Sequence, residues 1–296
     1  MINIIINIFI GNQPMESIGN NPLSKYFRQP VIYIRLPSDG RWWEPESLNL
    51  PETGELAIYP MSARDEITLK TPDALMNGQG IVDVIQSCCP NIKDAWKCPS
   101  VDVDAILISI RIATYGNKMS FESTCTHCQE RNTHELDLGE SLGSIQCPEY
   151  QQPIAYDDLK IKLKPQQYFT VNRANMATFE EQKIMSTLAD QEIDADTKSQ
   201  MLRESMQKLI DLGIRACALS TEYVELADGT RVDNFDYILE FYRNAELEVT
   251  RRLQETVNQL VEQGKIAPLT LNCFGCNTAY SAELQFDYSN FFAQGF

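Results

Sequence analysis

The 296-residue sequence predicts an α+β fold in which helices pack on small β-sheets and a long helical stretch interrupts one of them. Three observations carry this. β-Branched and aromatic runs alternate with amphipathic patterns in the N-terminal third. Two Cys-x-x-Cys turns each lie between strand-like flanks. Between those turns, residues 176–265 contain few strand signals and no proline.

In chain order, Gln29-Pro-Val-Ile-Tyr-Ile-Arg-Leu-Pro37 and Glu55-Leu-Ala-Ile-Tyr-Pro60 read as extended runs, with Asp39-Gly40 as a turn between them. Ser62 is a good N-cap for a first helix, with Asp65 and Glu66 in the first turn where the macrodipole favours anions. Ile81, Val82, Val84 and Ile85 support a second helix ending near Pro90. Val103, Ile106, Leu107 and Ile110 recur at helical spacing and support a third, ending at Gly116. From Met119 the pattern is strand, with Phe121 before the first cysteine turn and Leu136 and Leu138 after it. Leu159, Ile161 and Leu163 alternate with lysines, as in a strand with one wet face. Leu202, Met206, Leu209 and Ile210, and later Leu253, Val257, Leu260 and Val261, mark helices. After the second turn, Ala282-Glu-Leu-Gln-Phe returns to strand. These readings divide the chain into an apolar extension (1–14), an N-terminal α+β region (15–118), a split unit (119–138 with 266–296), a β-rich connector (139–175) and a helical insertion (176–265).

Charge excludes some functions. With 25 Lys+Arg against 41 Asp+Glu the formal net charge is −16, and a chain so acidic repels phosphate backbones and anionic lipid, so neither nucleic acid nor membrane is the expected partner. The insertion carries 10 basic and 18 acidic side chains, half of that excess. This fits a solvated face around a helical core, with an electrostatic docking surface as the sharper alternative. At 43% apolar and 22% charged residues the composition is that of an ordinary globular protein. Residues 1–14 are uncharged and apolar, lack a positive n-region, and precede Met15, which reads as a short strand, a loose extension or a start assigned too far upstream. No stretch approaches the ~20 apolar residues of a bilayer crossing. The expectation is a soluble protein in a reducing compartment, where clustered cysteines bind metal more often than they form disulfides.

Cys125-Thr-His-Cys128 and Cys273-Phe-Gly-Cys276 carry the chemistry. Two residues between thiolates let one tight turn aim both sulfurs at one ion, so two such turns supply a tetrahedral four-sulfur site, a zinc-ribbon-like unit with a structural zinc. The 144 residues between the turns exceed the usual ribbon spacing, which a helical insertion between the two knuckles explains. An iron–sulfur cluster on the same ligands and a redox dithiol pair are the alternatives. A catalytic metal would need an open position. His127 and His134 could each replace a cysteine, although a histidine hydrogen-bonding beside the metal is the simpler reading. Cys88, Cys89 and Cys217 read as small core residues, and Cys98 and Cys147 sit before prolines in loops. The sequence contains no GxGxxG, GxxxxGK[ST] or HExxH, and no catalytic residues and no small-molecule substrate are expected. Trp42-Trp43 reads as core rather than as an exposed recognition patch. A nucleic-acid accessory factor built on a zinc ribbon and a metalloenzyme are the competing functions.

Leu36-Pro-Ser-Asp-Gly40, Ile58-Tyr-Pro-Met-Ser-Ala-Arg-Asp-Glu66, Leu75-Met-Asn-Gly78, Val103-Asp-Ala-Ile-Leu-Ile108 and Arg111-Ile-Ala-Thr-Tyr-Gly116, leading into the first cysteine turn, come in an order that resembles the base plate protein family of T-even-like contractile-tailed bacteriophages. Phe286-Asp-Tyr-Ser-Asn-Phe-Phe292 resembles that family's end. The resemblance spans most of residues 31–138 and about 266–292. It implies a non-enzymatic structural or assembly component of the tail baseplate hub. Its partners would be other hub or tape-measure proteins, and its place the virion tail baseplate, or the host cytoplasm during assembly.

Overall fold

The computed structural model describes residues 21–71, 77–190, 195–282 and 291–292. Among them lie eight α-helices and several small antiparallel sheets, an α+β architecture. Residues 1–14, and Glu283–Phe286 of the expected last strand, lie outside them.

The N-terminal unit is built on β1 (Ile32–Ile34) and β2 (Leu56–Ile58), paired antiparallel with Tyr33 opposite Ala57. Both are shorter than the extended runs around them. Against this pair pack α1 (Ala63–Leu69), α2 (Gln79–Cys88) and α3 (Ser100–Tyr115). The α1 start is a full capping box. The Ser62 hydroxyl accepts from the Asp65 N–H while the Asp65 carboxylate accepts from the Ser62 N–H. α3 is the centre of the unit, buried around most of its circumference from Asp102 to Ile112. Cys88, Cys89 and Cys98 are fully buried in this core. Burial pushes the thiols of the first two upward, so they behave as small hydrophobes.

One polar knot lies inside this core. Asp102 accepts the Ser38 N–H (2.8 Å), the Ser38 hydroxyl (2.6 Å) and the Trp43 indole N–H (2.8 Å), which ties the Asp39-Gly40 turn to α3. Burial pushes this carboxyl up to about 6, outweighing the hydrogen bonds that favour the anion. The adjacent Trp42 faces the other way, edge-on to Tyr150 with ring centroids 5.4 Å apart, so the tryptophan pair is half-buried and spans two cores.

A long hairpin, β3 (Lys118–Thr124) and β4 (Arg131–Asp137), leaves this unit. Met119 and Leu136 at its root join the first core. Leu138, expected on the strand, instead opens α4 (Leu138–Ser144), because the Asp137 side chain accepts from the Gly139 N–H as an N-cap. Next come β5 (Ile154–Tyr156) and β6 (Leu159–Leu163), whose Ile161 and Leu163 face the second core as the alternation predicts.

The stretch read as helical begins earlier than expected. α5 (Tyr168–Asp190) and α6 (Ala195–Leu219) form a helical hairpin, followed by β7 (Thr221–Glu225) and β8 (Arg231–Val232), then α7 (Phe235–Asn244) and α8 (Leu247–Gln263). β7 and β8 lie within 176–265 and complete a four-stranded sheet in the order β5-β6-β7-β8. The sequence reading missed them because β7 is a five-residue run between helices whose pairing partner, β6, lies far upstream. The second core gathers this sheet, α7, α8 and the end of α6. Within it the Thr221 and Tyr242 hydroxyls meet at 2.8 Å. β9 (Leu269–Asn272) and β10 (Ala279–Ala282) then pair and return beside the β3–β4 hairpin.

The raised Asp102 carboxyl gives a signed prediction. The unfolded chain releases this proton near 3.9 and the fold holds it to about 6, so the group's contribution to stability declines as pH rises through that window and levels off above it. Denaturant melts at several pH values are expected to show Asp102→Asn losing a decline on the order of 3 kcal/mol between pH 4 and 7 relative to the parent chain.

Candidate metal centre

Two hairpin tips, β3–β4 and β9–β10, build the centre from matching turns. In the first, the Cys125 N–H donates to the Glu130 carbonyl (2.9 Å) and the Gln129 N–H to the Cys125 carbonyl (3.0 Å). In the second, the Cys273 N–H donates to the Thr278 carbonyl (3.0 Å) and the Asn277 N–H to the Cys273 carbonyl (2.9 Å). The residue following each pair is left-handed, Gln129 at φ 61° and Asn277 at φ 55°. Such a residue reverses the chain directly after the second cysteine, which brings both sulfurs of a turn to the same side.

The two turns face each other. The Sγ atoms of Cys125, Cys128, Cys273 and Cys276 all lie within 4.8 Å of one another, with Cys125 to Cys276 at 3.8 Å and Cys128 to Cys273 at 3.5 Å. A disulfide needs about 2.0 Å between sulfurs. A tetrahedron of sulfurs about 2.3 Å from a central ion has edges of about 3.8 Å. The spacing is therefore that of coordination, and the four cysteines could hold a metal ion. Cys125 and Cys273 are buried, while Cys128 and Cys276 reach the surface.

Hydrogen-bond donors point at the two buried sulfurs. Cys125 Sγ accepts the His127 N–H (3.4 Å), and Cys273 Sγ accepts the Gly275 N–H (3.3 Å) and the Asn132 side-chain amide (3.5 Å). Backbone N–H groups of Cys276 and Gly275, with the Asn132 amide, lower the Cys273 thiol to about 6. The Thr278 hydroxyl and N–H lower Cys276. Cys128 goes the other way. The Glu130 N–H favours its anion, but its thiol bonds to Cys273 and Cys276 hold the proton and push it up to about 12. Four thiols this close cannot all ionise beside one another without a cation between them. The donor set and its spacing fit a metal.

Residues beyond the four cysteines join the knuckles, and the sequence reading missed two of them. Asn132, buried on β4, donates from Nδ2 to the Glu130 carbonyl (3.0 Å) as well as to Cys273 Sγ. Its Oδ1 accepts the Phe274 N–H (2.8 Å). One amide thus ties both turns together. The Tyr280 hydroxyl on β10 meets Ser123 Oγ at 2.6 Å and His134 Nε2 at 3.2 Å on the other hairpin. His134 also stacks on Phe274 at 4.9 Å, so it braces the second knuckle beside the sulfurs. His127 contributes its main-chain N–H. Gly275 lies where the turns approach: a Cβ there would sit 3.3 Å from Glu130 Cγ. A motif search by spacing finds cysteines, whereas Asn132 and Tyr280 act through contacts between hairpins nearly 150 residues apart. The remaining cysteines lie elsewhere, Cys217 in the second core and Cys147 half-buried near it.

Four cysteines from two hairpins, brought together on an α+β scaffold, are compatible with a zinc-ribbon-like unit as the class of site. Residues 45–293 match the family model described as T4 bacteriophage base plate protein, and the chain belongs to that family. No curated protein and no solved structure matches. The match bears out the resemblance read from the ordered motifs. It also runs through the helical region between the knuckles, outside the span of that resemblance, and leaves Leu36–Gly40 before its start. Membership makes the chain a phage baseplate structural component whose interactions are with other baseplate proteins. No described helix is long and apolar enough to cross a membrane.

Asn132→Ala removes the amide that holds Cys273 and the second turn. Competition against a chelator is expected to show metal affinity falling about ten- to a hundredfold, with the four cysteines intact.

Proposed function

We propose that this chain is a non-enzymatic component of the baseplate hub of a contractile-tailed bacteriophage. It takes part in tail morphogenesis beside other hub or tape-measure proteins, and one structural zinc is held by Cys125, Cys128, Cys273 and Cys276. The observation that carries this reading is the family match over residues 45–293.

The chemistry of the site supports it. Four protein sulfurs complete a tetrahedron, so the ion has no open position for water or substrate and contributes to folding. An all-sulfur, four-coordinate set with this spacing suits zinc. Sulfurs all within 4.8 Å of each other enclose one ion, whereas an iron–sulfur cluster places several irons and sulfides between its thiolates. The net charge of −16 supports protein partners over nucleic acid.

Deleting the gene from its phage is expected to yield filled heads without functional tails, counted by electron microscopy of the lysate. Normal infectious particles from the deletion would overturn the reading.

A further inference from the structure

The α5–α6 hairpin is a two-helix arm with little core of its own. From Met176 to Ile214, among described side chains, only Glu181 and Ser205 are buried, and both are polar. They bond to each other across the seam, and Lys208 reaches the other Glu181 oxygen at 3.0 Å. Phe179, Met206 and Ile210 are each more than half exposed. Helices in proteins are held mainly by packing of an apolar face; α7 and α8 cover one side of α6 near its end, and the stretch of the hairpin beyond them has little packed against it.

One face of the arm is a groove with a defined character. Near the base, a cavity of about 350 Å³ is floored by Ala174, Leu212, Ala216 and Leu219 and flanked by Arg173 from α5 and Arg215 from α6. It meets a second cavity of about 710 Å³ at Ala177 and Leu212, so the two follow the hairpin from Phe169 to Glu181. That stretch of helix is roughly 18 Å long.

The groove's anions are committed. Glu181 is taken by Ser205 and Lys208, Asp211 by Arg243 at 2.7 Å, and Glu204 by Gln200. Its arginines are not. Among the described residues, Arg173, Arg203 and Arg215 make no ion pair. Arg173 and Arg215 lie over the Phe169 and Phe235 rings at 5.5 and 5.1 Å, which orients the guanidinium planes and leaves their N–H groups uncommitted. In a chain of net charge −16, an apolar floor edged by three unpaired arginines is a local inversion of sign.

We propose that this groove receives an amphipathic helix of a partner protein that presents carboxylates to Arg173 and Arg215 and packs apolar side chains on the alanine and leucine floor. A helix fits because the slot between two antiparallel helices is the third position of a bundle. The hub reading supplies only where the partner comes from.

The test places the photo-cross-linking residue p-benzoylphenylalanine at Gln207, on the groove wall, in the full chain expressed during phage infection. Mass spectrometry then identifies the captured peptide. The expected product is a segment of another phage tail protein with Asp or Glu at helical spacing opposite an apolar stripe. Arg173→Glu with Arg215→Glu is expected to cut its yield at least tenfold while the thermal melt is unchanged, with the Gln pair intermediate. Capture of such an acidic helix from a protein outside the tail would support the groove while contradicting the hub reading. Capture of a second copy, of nucleic acid or of a segment without carboxylates would overturn the proposal. So would no capture, or a yield indifferent to charge reversal.

Discussion

Four sulfur atoms within 4.8 Å of one another, drawn from turns 144 residues apart, are the constraint on which the rest of this structure depends. Everything between Cys128 and Cys273 leaves from one hairpin and must return to the other. An ion held there would close a loop spanning the second sheet, the helical arm and α7–α8. A link closing a loop of that size removes roughly 5 kcal/mol of unfolded-chain entropy. The Asn132 amide and the Tyr280 hydroxyl share the work, because each spans both hairpins and holds the sulfurs in register.

Two further joints set the arrangement of the units. The Trp42-Trp43 pair sends one ring to the second core and the other to Asp102 in the first. At the root of α5, the Tyr168 N–H donates to the Cys98 carbonyl while Trp96 stacks on the Tyr168 ring at 5.6 Å. The helical arm is thus anchored at the base of α5 on the N-terminal core, and α6 packs on α7 and α8, with Asp211 paired to Arg243. This is consistent with a baseplate protein whose rigid part is clipped together and whose arm meets other subunits.

Legibility in the sequence followed the range of the interactions involved. Local signals read well: the Ser62 cap, the periodicity of α2 and α3, the alternation in β6 and both cysteine turns all depend on residues a few positions apart. Features that exist only once distant segments meet did not. β7 looks like an interruption between helices until β6 pairs with it. Leu138 looks like a strand residue until Asp137 caps a helix there. Asn132 is an ordinary polar strand residue until the second knuckle arrives. Trp42 and Trp43 read as core and are half-buried, each packed against a different core, a division that depends on the tertiary fold. Charge behaves in the same way. Half of the excess negative charge lies in 176–265, yet the groove that starts at Phe169 and runs along α5 and α6 is edged by arginines, which composition averages away.

X-ray absorption at the zinc edge, with metal quantified per chain on the purified 296-residue protein, tests the four-sulfur site most directly. The expected result is one zinc per chain surrounded by four sulfurs at about 2.3 Å. A protein that folds without bound metal, or a zinc shell in which nitrogen or oxygen replaces sulfur, would contradict it.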